Sequence, residues 1–182
     1  KGTNMAVDYK FYDIKLVKQN QKKLIKDAIK AHDRFQFAYG KFLKEINSTS
    51  FFRYYSFVCL AAGSSLYYLL FKEVQKNIRS FYKKKGPLWF QCWLNLHKQD
   101  EVLAWHNHED CTFHGYISID PKNTETEFKD FTVKNEAGKM YLGPAYKHHK
   151  VNVLSPFKGQ RITIAFDVVN ADDFKAMEIK YG

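Results

Sequence analysis

Arginine is scarce in this chain: Arg34, Arg53, Arg79 and Arg161 are the only four among 29 basic side chains. The net charge of +10 is therefore mostly lysine, and it is spread from Lys1 to Lys180 with one tight run at Lys83, Lys84 and Lys85. A nucleic-acid groove needs clustered Lys/Arg interleaved with aromatics on one face, so a dispersed, solvated basic surface is the favoured reading. Such a surface can still attract an anionic partner. Cysteine is scarce too. Cys59, Cys92 and Cys111 are odd in number and lack C-x-x-C spacing, which excludes a zinc knuckle and fits a reducing, cytoplasmic compartment. No apolar run reaches the roughly 20 residues a membrane span needs. The longest uncharged stretch, 54–71, lies between Arg53 and Lys72 and is broken by Gly63-Ser64-Ser65. The first residues have no apolar core of the secretory kind, and Met5 is expected to be the native start, with residues 1–4 an added remnant.

What is present suits one domain. The chain has 182 residues, 45% of them hydrophobic, enough for a single buried core. Residues 17–38 place Leu24, Ile25, Ala28 and Ile29 at helical spacing, with lysines and Asp27 opposite. The aromatic-rich stretch 51–60 reads as a strand or buried extended segment. Ser64 or Ser65 is positioned to cap a second helix, in which Leu66, Leu70, Val74, Ile78 and Phe81 recur until Gly86-Pro87 ends it. Past Pro87 the period becomes two. Residues 88–96, 112–120, 150–154 and 161–168 read as strands, the second half-buried, with Phe113, Gly115, Ile117 and Ile119 against His114, Tyr116 and Ser118. The polar stretch 120–138 reads as a long loop. Helices followed by strands define an α+β class, with about 1–86 as helical buttress and outer elements and 87–170 as the β core.

Three of the seven histidines, His106, His108 and His114, fall within nine positions beside Asn107, Glu109 and Asp110. Side chains at i and i+2 of an extended segment share a face, so His106 and His108 can grip one ion together. Imidazole suits iron, zinc, copper or nickel and is a poor ligand for magnesium. An exposed polar turn with unrelated histidines is the other reading. A third imidazole is offered by His148 or His149; His149 is preferred because it leads directly into the alternating Val151 and Val153. Twelve residues beyond it, Arg161 and Thr163 share a strand face and can hold both oxygens of one carboxylate, unless Arg161 is simply in a strand-end ion pair.

Taken in order, these residues resemble the iron(II)- and 2-oxoglutarate-dependent oxygenases, whose pattern is H-x-D/E, a distant His, then R-x-S/T. A small bacterial and phage branch of that family is similar over about 66–168. Its W-x-N, H-x-H, small-residue-Gly, H-x-V and G-x-R-I-S/T-I-x-F segments correspond here to Trp93-Leu94-Asn95, His106-Asn107-His108, His114-Gly115-Tyr116, His149-Lys150-Val151 and Gly159-Gln160-Arg161-Ile162-Thr163-Ile164-Ala165-Phe166. The resemblance implies a double-stranded β-helix, jelly-roll or cupin-like, with N-terminal helices packed on one sheet. It also implies Fe(II) on His106, His108 and His149, with the far carboxylate of 2-oxoglutarate on Arg161 and Thr163. The reaction implied is oxidative decarboxylation of 2-oxoglutarate by O2, coupled to hydroxylation of a primary substrate that the sequence does not reveal. No catalytic residue beyond the metal ligands is expected, and Trp93, Trp105 and Tyr116 are expected as cleft walls or core.

The fold matters to that reading. In a flat hairpin His149 and Arg161 would stand roughly 14 Å apart, whereas strands in opposing sheets about 10 Å apart let one diacid reach both. The chain departs from the family at His108, where an acid is usual. Either three histidines hold the ion, the preferred reading given Trp105-His106 and Gly115, or the register slips to His108-Glu109-Asp110 and Asp110 supplies a carboxylate. A third reading leaves His108 unbound and a coordination position open to water or halide. Two other functions fit less of the pattern: a three-histidine dioxygenase that needs no 2-oxoglutarate, and a non-catalytic basic β-barrel that binds nucleic acid. The expected location is cytoplasmic, in the host if phage-encoded, with no membrane partner.

Overall fold

Two helices with matching apolar stripes cover one side of a β structure. The computed structural model describes residues 8–39, 63–101 and 103–172, so the segment 51–60, read above as extended, lies outside the described residues. Helix α1, Lys15–Tyr39, buries Val17, Leu24 and Ala28. It kinks at Asn20 (φ −124°, ψ 20°), whose side-chain amide donates to the Leu16 carbonyl at 3.0 Å, a local competitor of the helix ladder. Helix α2, Ser65–Phe81, buries Tyr67, Leu70, Val74 and Ile78, a stripe with steps of three and four. The Tyr67 hydroxyl donates to the Leu24 carbonyl at 2.8 Å and ties the helices together. Ser64 stands at the N-cap position without capping through its side chain; its hydroxyl donates instead to Asp27 Oδ2 at 2.6 Å. The helix also stops at Phe81, ahead of Gly86-Pro87, where Tyr82 turns extended.

The strands are β1 (Lys10–Asp13), β2 (Leu88–His97), β3 (Phe113–Asp120), β4 (Thr124–Phe128), β5 (Thr132–Lys134), β6 (Lys139–Pro144), β7 (His149–Val153) and β8 (Arg161–Asn170). They form a five-stranded sheet in the order β1-β6-β3-β8-β2 and a three-stranded sheet in the order β5-β4-β7, antiparallel throughout. Residues 103–106 extend the smaller sheet beyond β7. Val151 N–H donates to the Leu103 carbonyl at 3.0 Å, and His106 and His149 exchange both backbone hydrogen bonds at 3.0 and 2.9 Å. From β2 onward the chain passes from the larger sheet to the smaller and back: β2, then 103–106, then β3, then β4 and β5, then β6, then β7, then β8. That winding is a double-stranded β-helix with a four-stranded pair of layers, and the molecule is α+β with a jelly-roll, cupin-like core. Among the described residues no helix is long and apolar enough to cross a membrane.

The stretch 120–138, read from sequence as a loop, holds β4 and β5. In β4 the threonines and Phe128 turn inward while Glu125 and Glu127 are half-buried. An inward face made largely of threonine does not look apolar in sequence. It is satisfied by Asn135, which accepts from Thr126 at 3.0 Å and donates to Thr124 at 3.1 Å.

Strand parity positions everything that follows. On β3, Phe113, Gly115, Ile117 and Ile119 lie under the helices, with the Phe113 ring 5.3 Å from Phe81 and the Ile119 carbonyl accepting from Gln21 at 3.0 Å. His114, Tyr116 and Ser118 face the opposite sheet. The strand is buried from Phe113 through Ile119, so the half-buried expectation is corrected: its polar face looks into the sandwich and not into solvent. On β8, Ile162, Ile164, Phe166 and Val168 join the helix-side core, while Arg161, Thr163, Ala165 and Asp167 line the interior cavity.

Candidate metal centre

His149 opens β7 and is buried; His106 is its cross-strand partner, and their ring centroids are 4.3 Å apart. His108, two residues further on, donates its backbone N–H to the Ala145 carbonyl at 3.0 Å. Its ring lies 5.4 Å from His106 and 5.5 Å from His149. One ligand atom from each of the three imidazoles lies within 4.8 Å of the other two. His148 is exposed.

Backbone carbonyls decide which nitrogen is free. Nδ1 of His106 is 2.8 Å from the Ala104 carbonyl, and Nδ1 of His149 is 3.1 Å from the Lys147 carbonyl. Nδ1 of His108 is 2.9 Å from Asp167 Oδ1. A proton on Nδ1 satisfies the two carbonyls at His106 and His149 and leaves their Nε2 lone pairs for an ion, the usual outer-shell arrangement of metal-binding histidines; the His108–Asp167 contact is close without the alignment of a hydrogen bond. Burial pushes the His149 pKa down to about 3, with the neighbouring His106 the next cause. It also lowers that of His106, partly opposed by the Ala104 carbonyl. Both rings are therefore neutral at pH 7, the form that binds a transition metal. The donor set fits iron, zinc, copper or nickel.

The same cavity, about 270 Å³, is lined by Arg161 and Thr163 together with Trp93, Asn95, Tyr116 and Thr126. Because β7 and β8 belong to opposing sheets, the imidazole cluster and the guanidinium meet across the sandwich. Arg161 is only 3% exposed. Its Nε has no hydrogen-bond partner, and no acid stands within ion-pair distance of it among the described residues. Burial pushes its pKa down to about 10. Its direct cross-strand neighbour, His97, is pushed down to about 4, by burial first and the Arg161 charge second. Asn95 Nδ2 stands 3.5 Å from Thr163 Oγ1, a long contact that leaves the hydroxyl available.

Asp110 and Glu109 are exposed at the cavity mouth, and neither belongs to a cluster that could hold an ion. The carboxylate that does reach the histidines is Asp167, which with His108 and His114 forms a second group whose ligand atoms lie within 4.8 Å of one another. Trp93 and Tyr116 line the cavity as walls. Trp105 does not: it is 37% exposed, with Lys129 Nζ 3.7 Å and Lys150 Nζ 5.0 Å from its ring centroid. Cys111, whose thiol contacts the His108 carbonyl at 3.4 Å, is pushed up to about 12 by burial and then by the Asp167 charge, so it is no nucleophile. Sequence placed His114 in the histidine cluster without a role beside the ligands, and it did not single out Asp167. Parity was the available signal, since Asp167 shares its strand face with Arg161 and Thr163.

No protein-family model matches the chain, and no curated protein does. Among solved structures it is similar to an oxidoreductase of the 2OG-Fe(II) oxygenase family from Burkholderia pseudomallei, at 11% identity and TM-score 0.42 over 52% of this chain and 50% of that one. It is similar to salicylate 1,2-dioxygenase from Pseudoaminobacter salicylatoxidans at 15% identity and TM-score 0.37, over 49% of this chain and 22% of that one. A cupin-2 domain containing protein from Shewanella frigidimarina gives 21% identity and TM-score 0.31, over 50% of this chain and 88% of that one. The chain thus spans half the length of the first and under a quarter of the second. At such identities and scores the likeness does not bear on chemistry.

Proposed function

We propose that the chain is an Fe(II)- and 2-oxoglutarate-dependent oxygenase. His106, His108 and His149 hold the metal, and Arg161 and Thr163 hold the far carboxylate of the diacid. The observation that carries this reading is the buried guanidinium in the cavity of the three imidazoles, with its Nε unpaired and no acid within ion-pair distance among the described residues. Isolating a charge from water costs several kcal/mol after relaxation, so a site that keeps one without an acid beside it is built for an anion. The guanidinium fork and the Thr163 hydroxyl match the two oxygens of a carboxylate.

The residues divide the work. The neutral imidazoles of His106 and His149, with Nδ1 tied to backbone carbonyls, present Nε2 without a proton to remove. Arg161 and Thr163 set the direction in which the diacid lies, converting a loose encounter into a positioned one. Leu103, Val151 and Trp93 give the cavity apolar walls that limit water around the reacting groups. Iron held there would supply the activation of O2, whose four-electron reduction would draw two electrons from the diacid, decarboxylated to succinate and CO2 as it takes one oxygen atom, and two from the C–H bond of the primary substrate, which takes the other. Asn107, Glu109 and Asp110 line the same cavity and leave polar surface beside the imidazoles for a primary substrate. Succinate formation from 2-oxoglutarate by the iron-loaded protein tests the reading. Arg161→Ala is expected to abolish it, and a dioxygenase that needs no cosubstrate would keep its turnover in that variant.

A further inference from the structure

The three imidazoles are not held alike. His106 and His149 are fixed by the two backbone hydrogen bonds they exchange, and their rings follow from that bridge. His108 sits outside regular structure, at the start of the turn that leads to β3, its backbone anchored by its N–H to the Ala145 carbonyl and by its carbonyl, which accepts from the Cys111 thiol. A ligand on such a segment wanders unless its ring is gripped from the side. Trp93 stands against the ring at 5.9 Å and 24°, and two nearer residues, direct partners across the larger sheet, grip it more closely: Asp167 on β8 and His114 on β3.

We propose that Asp167 and His114 form a cradle that sets the tautomer and plane of His108, and so act as positioning residues of the metal centre. This rests on the three-histidine reading above. Asp167 Oδ1 lies 2.9 Å from His108 Nδ1, close though not in line for a hydrogen bond, and has no hydrogen-bond partner among the described residues, so a small turn of the ring completes the contact. A carboxylate there holds the proton on Nδ1, leaves Nε2 as the donor and strengthens that donor. Asp167 places beside the ring a carboxylate, which a ligand set of imidazoles alone lacks.

His114 acts through its face. Its ring is stacked on His108 at 4.0 Å and 11°, and on His149 at 4.7 Å and 10°. His108 and His149 are themselves within 3° of parallel, 5.5 Å apart. Those three distances and angles place His108 and His149 side by side with His114 beneath both, as a floor that keeps the two ligand planes level. His114 is 1% exposed, and neither of its nitrogens has a hydrogen-bond partner among the described residues. Its nitrogens, with His108 and Asp167, are near enough to hold an ion of their own. The near-parallel rings oppose that, because an ion in the plane of His108 lies out of the plane of His114.

Cobalt(II) titration under argon, followed by its visible bands and by bound metal per chain, tests the cradle without turnover. The wild type is expected to take one equivalent. His114→Phe keeps a flat ring without nitrogens and is expected to keep the band and bind within about threefold of wild type. His114→Ala and Asp167→Asn are each expected to weaken binding by roughly 10- to 100-fold and to shift the band, with near-ultraviolet dichroism confirming intact packing. The cradle is overturned if Asp167→Asn matches wild type, or if His114→Phe loses the ion as fully as His114→Ala. It is overturned equally if wild type takes two equivalents and His114→Phe only one, which would make His114 a ligand of a second ion. Failure of the wild type to bind cobalt at all would bring down the three-histidine reading itself.

Discussion

Arg161 sits where nothing in the described chain neutralises it, and that has a measurable cost. Replacing it with methionine, of similar length and without charge, is expected to raise the urea midpoint of the ligand-free protein, because a buried uncompensated charge is removed. In the wild type, 2-oxoglutarate or succinate is expected to raise stability, by about 2.7 kcal/mol at one hundred times the dissociation constant. Arg161→Met should show no such response. A wild-type melting temperature indifferent to diacids would contradict the anion-site assignment. Protons act on the same cavity. His97 and His149 titrate in the folded state at about 4 and about 3, both through burial, against an ordinary 6.5. The unfolded chain therefore binds more protons between pH 6.5 and those values, and stability present above 6.5 is lost as pH falls through that window. Urea midpoints of the metal-free protein are expected to drop steadily from pH 6.5 to 4, and His97→Gln is expected to flatten the slope. A pH-independent midpoint would mean that the two rings are not buried neutral.

At the scale of elements, the apolar sides of the strands and helices were legible because their period is simple. The α2 stripe and the alternation in β3 and β8 name the residues that pack together. What sequence could not show is that the other side of each strand is also interior. His114, Tyr116 and Ser118 look like a solvent face, and only the second sheet, itself carrying threonine where aliphatics are usual, turns that face inward. For the same reason Asp167 was not read as a neighbour of His108, and Asp110, adjacent in sequence, was weighed in its place. Trp105 shows the converse: next to a ligand in the chain, it points outward to Lys129 and Lys150. Gly115 marks where strand and helix-side core meet most tightly. A Cβ there would stand 2.3 Å from the Tyr141 carbonyl oxygen and 2.6 Å from the Phe166 ring. Gly115→Ala is thus expected to shift β3 against β6 and cost on the order of 1–3 kcal/mol or more by overpacking. Equilibrium urea unfolding measures it, and a loss under about 0.5 kcal/mol, typical of a tolerant site, would contradict this packing.

The whole molecule makes the site by winding. His106 and His149 come from one layer, Arg161 and Thr163 from the other, and nothing local in sequence joins them. Residue order hinted at the convergence, and the two-layer passage of the chain brings it about. Anaerobic absorption spectroscopy tests the account most directly. Fe(II) alone is expected to give no visible band, and adding 2-oxoglutarate should produce a weak charge-transfer band that Arg161→Ala greatly weakens and His149→Ala removes. If no band develops when the diacid is added to protein shown to hold iron, the cavity does not bring metal and cosubstrate together, and the central claim is wrong.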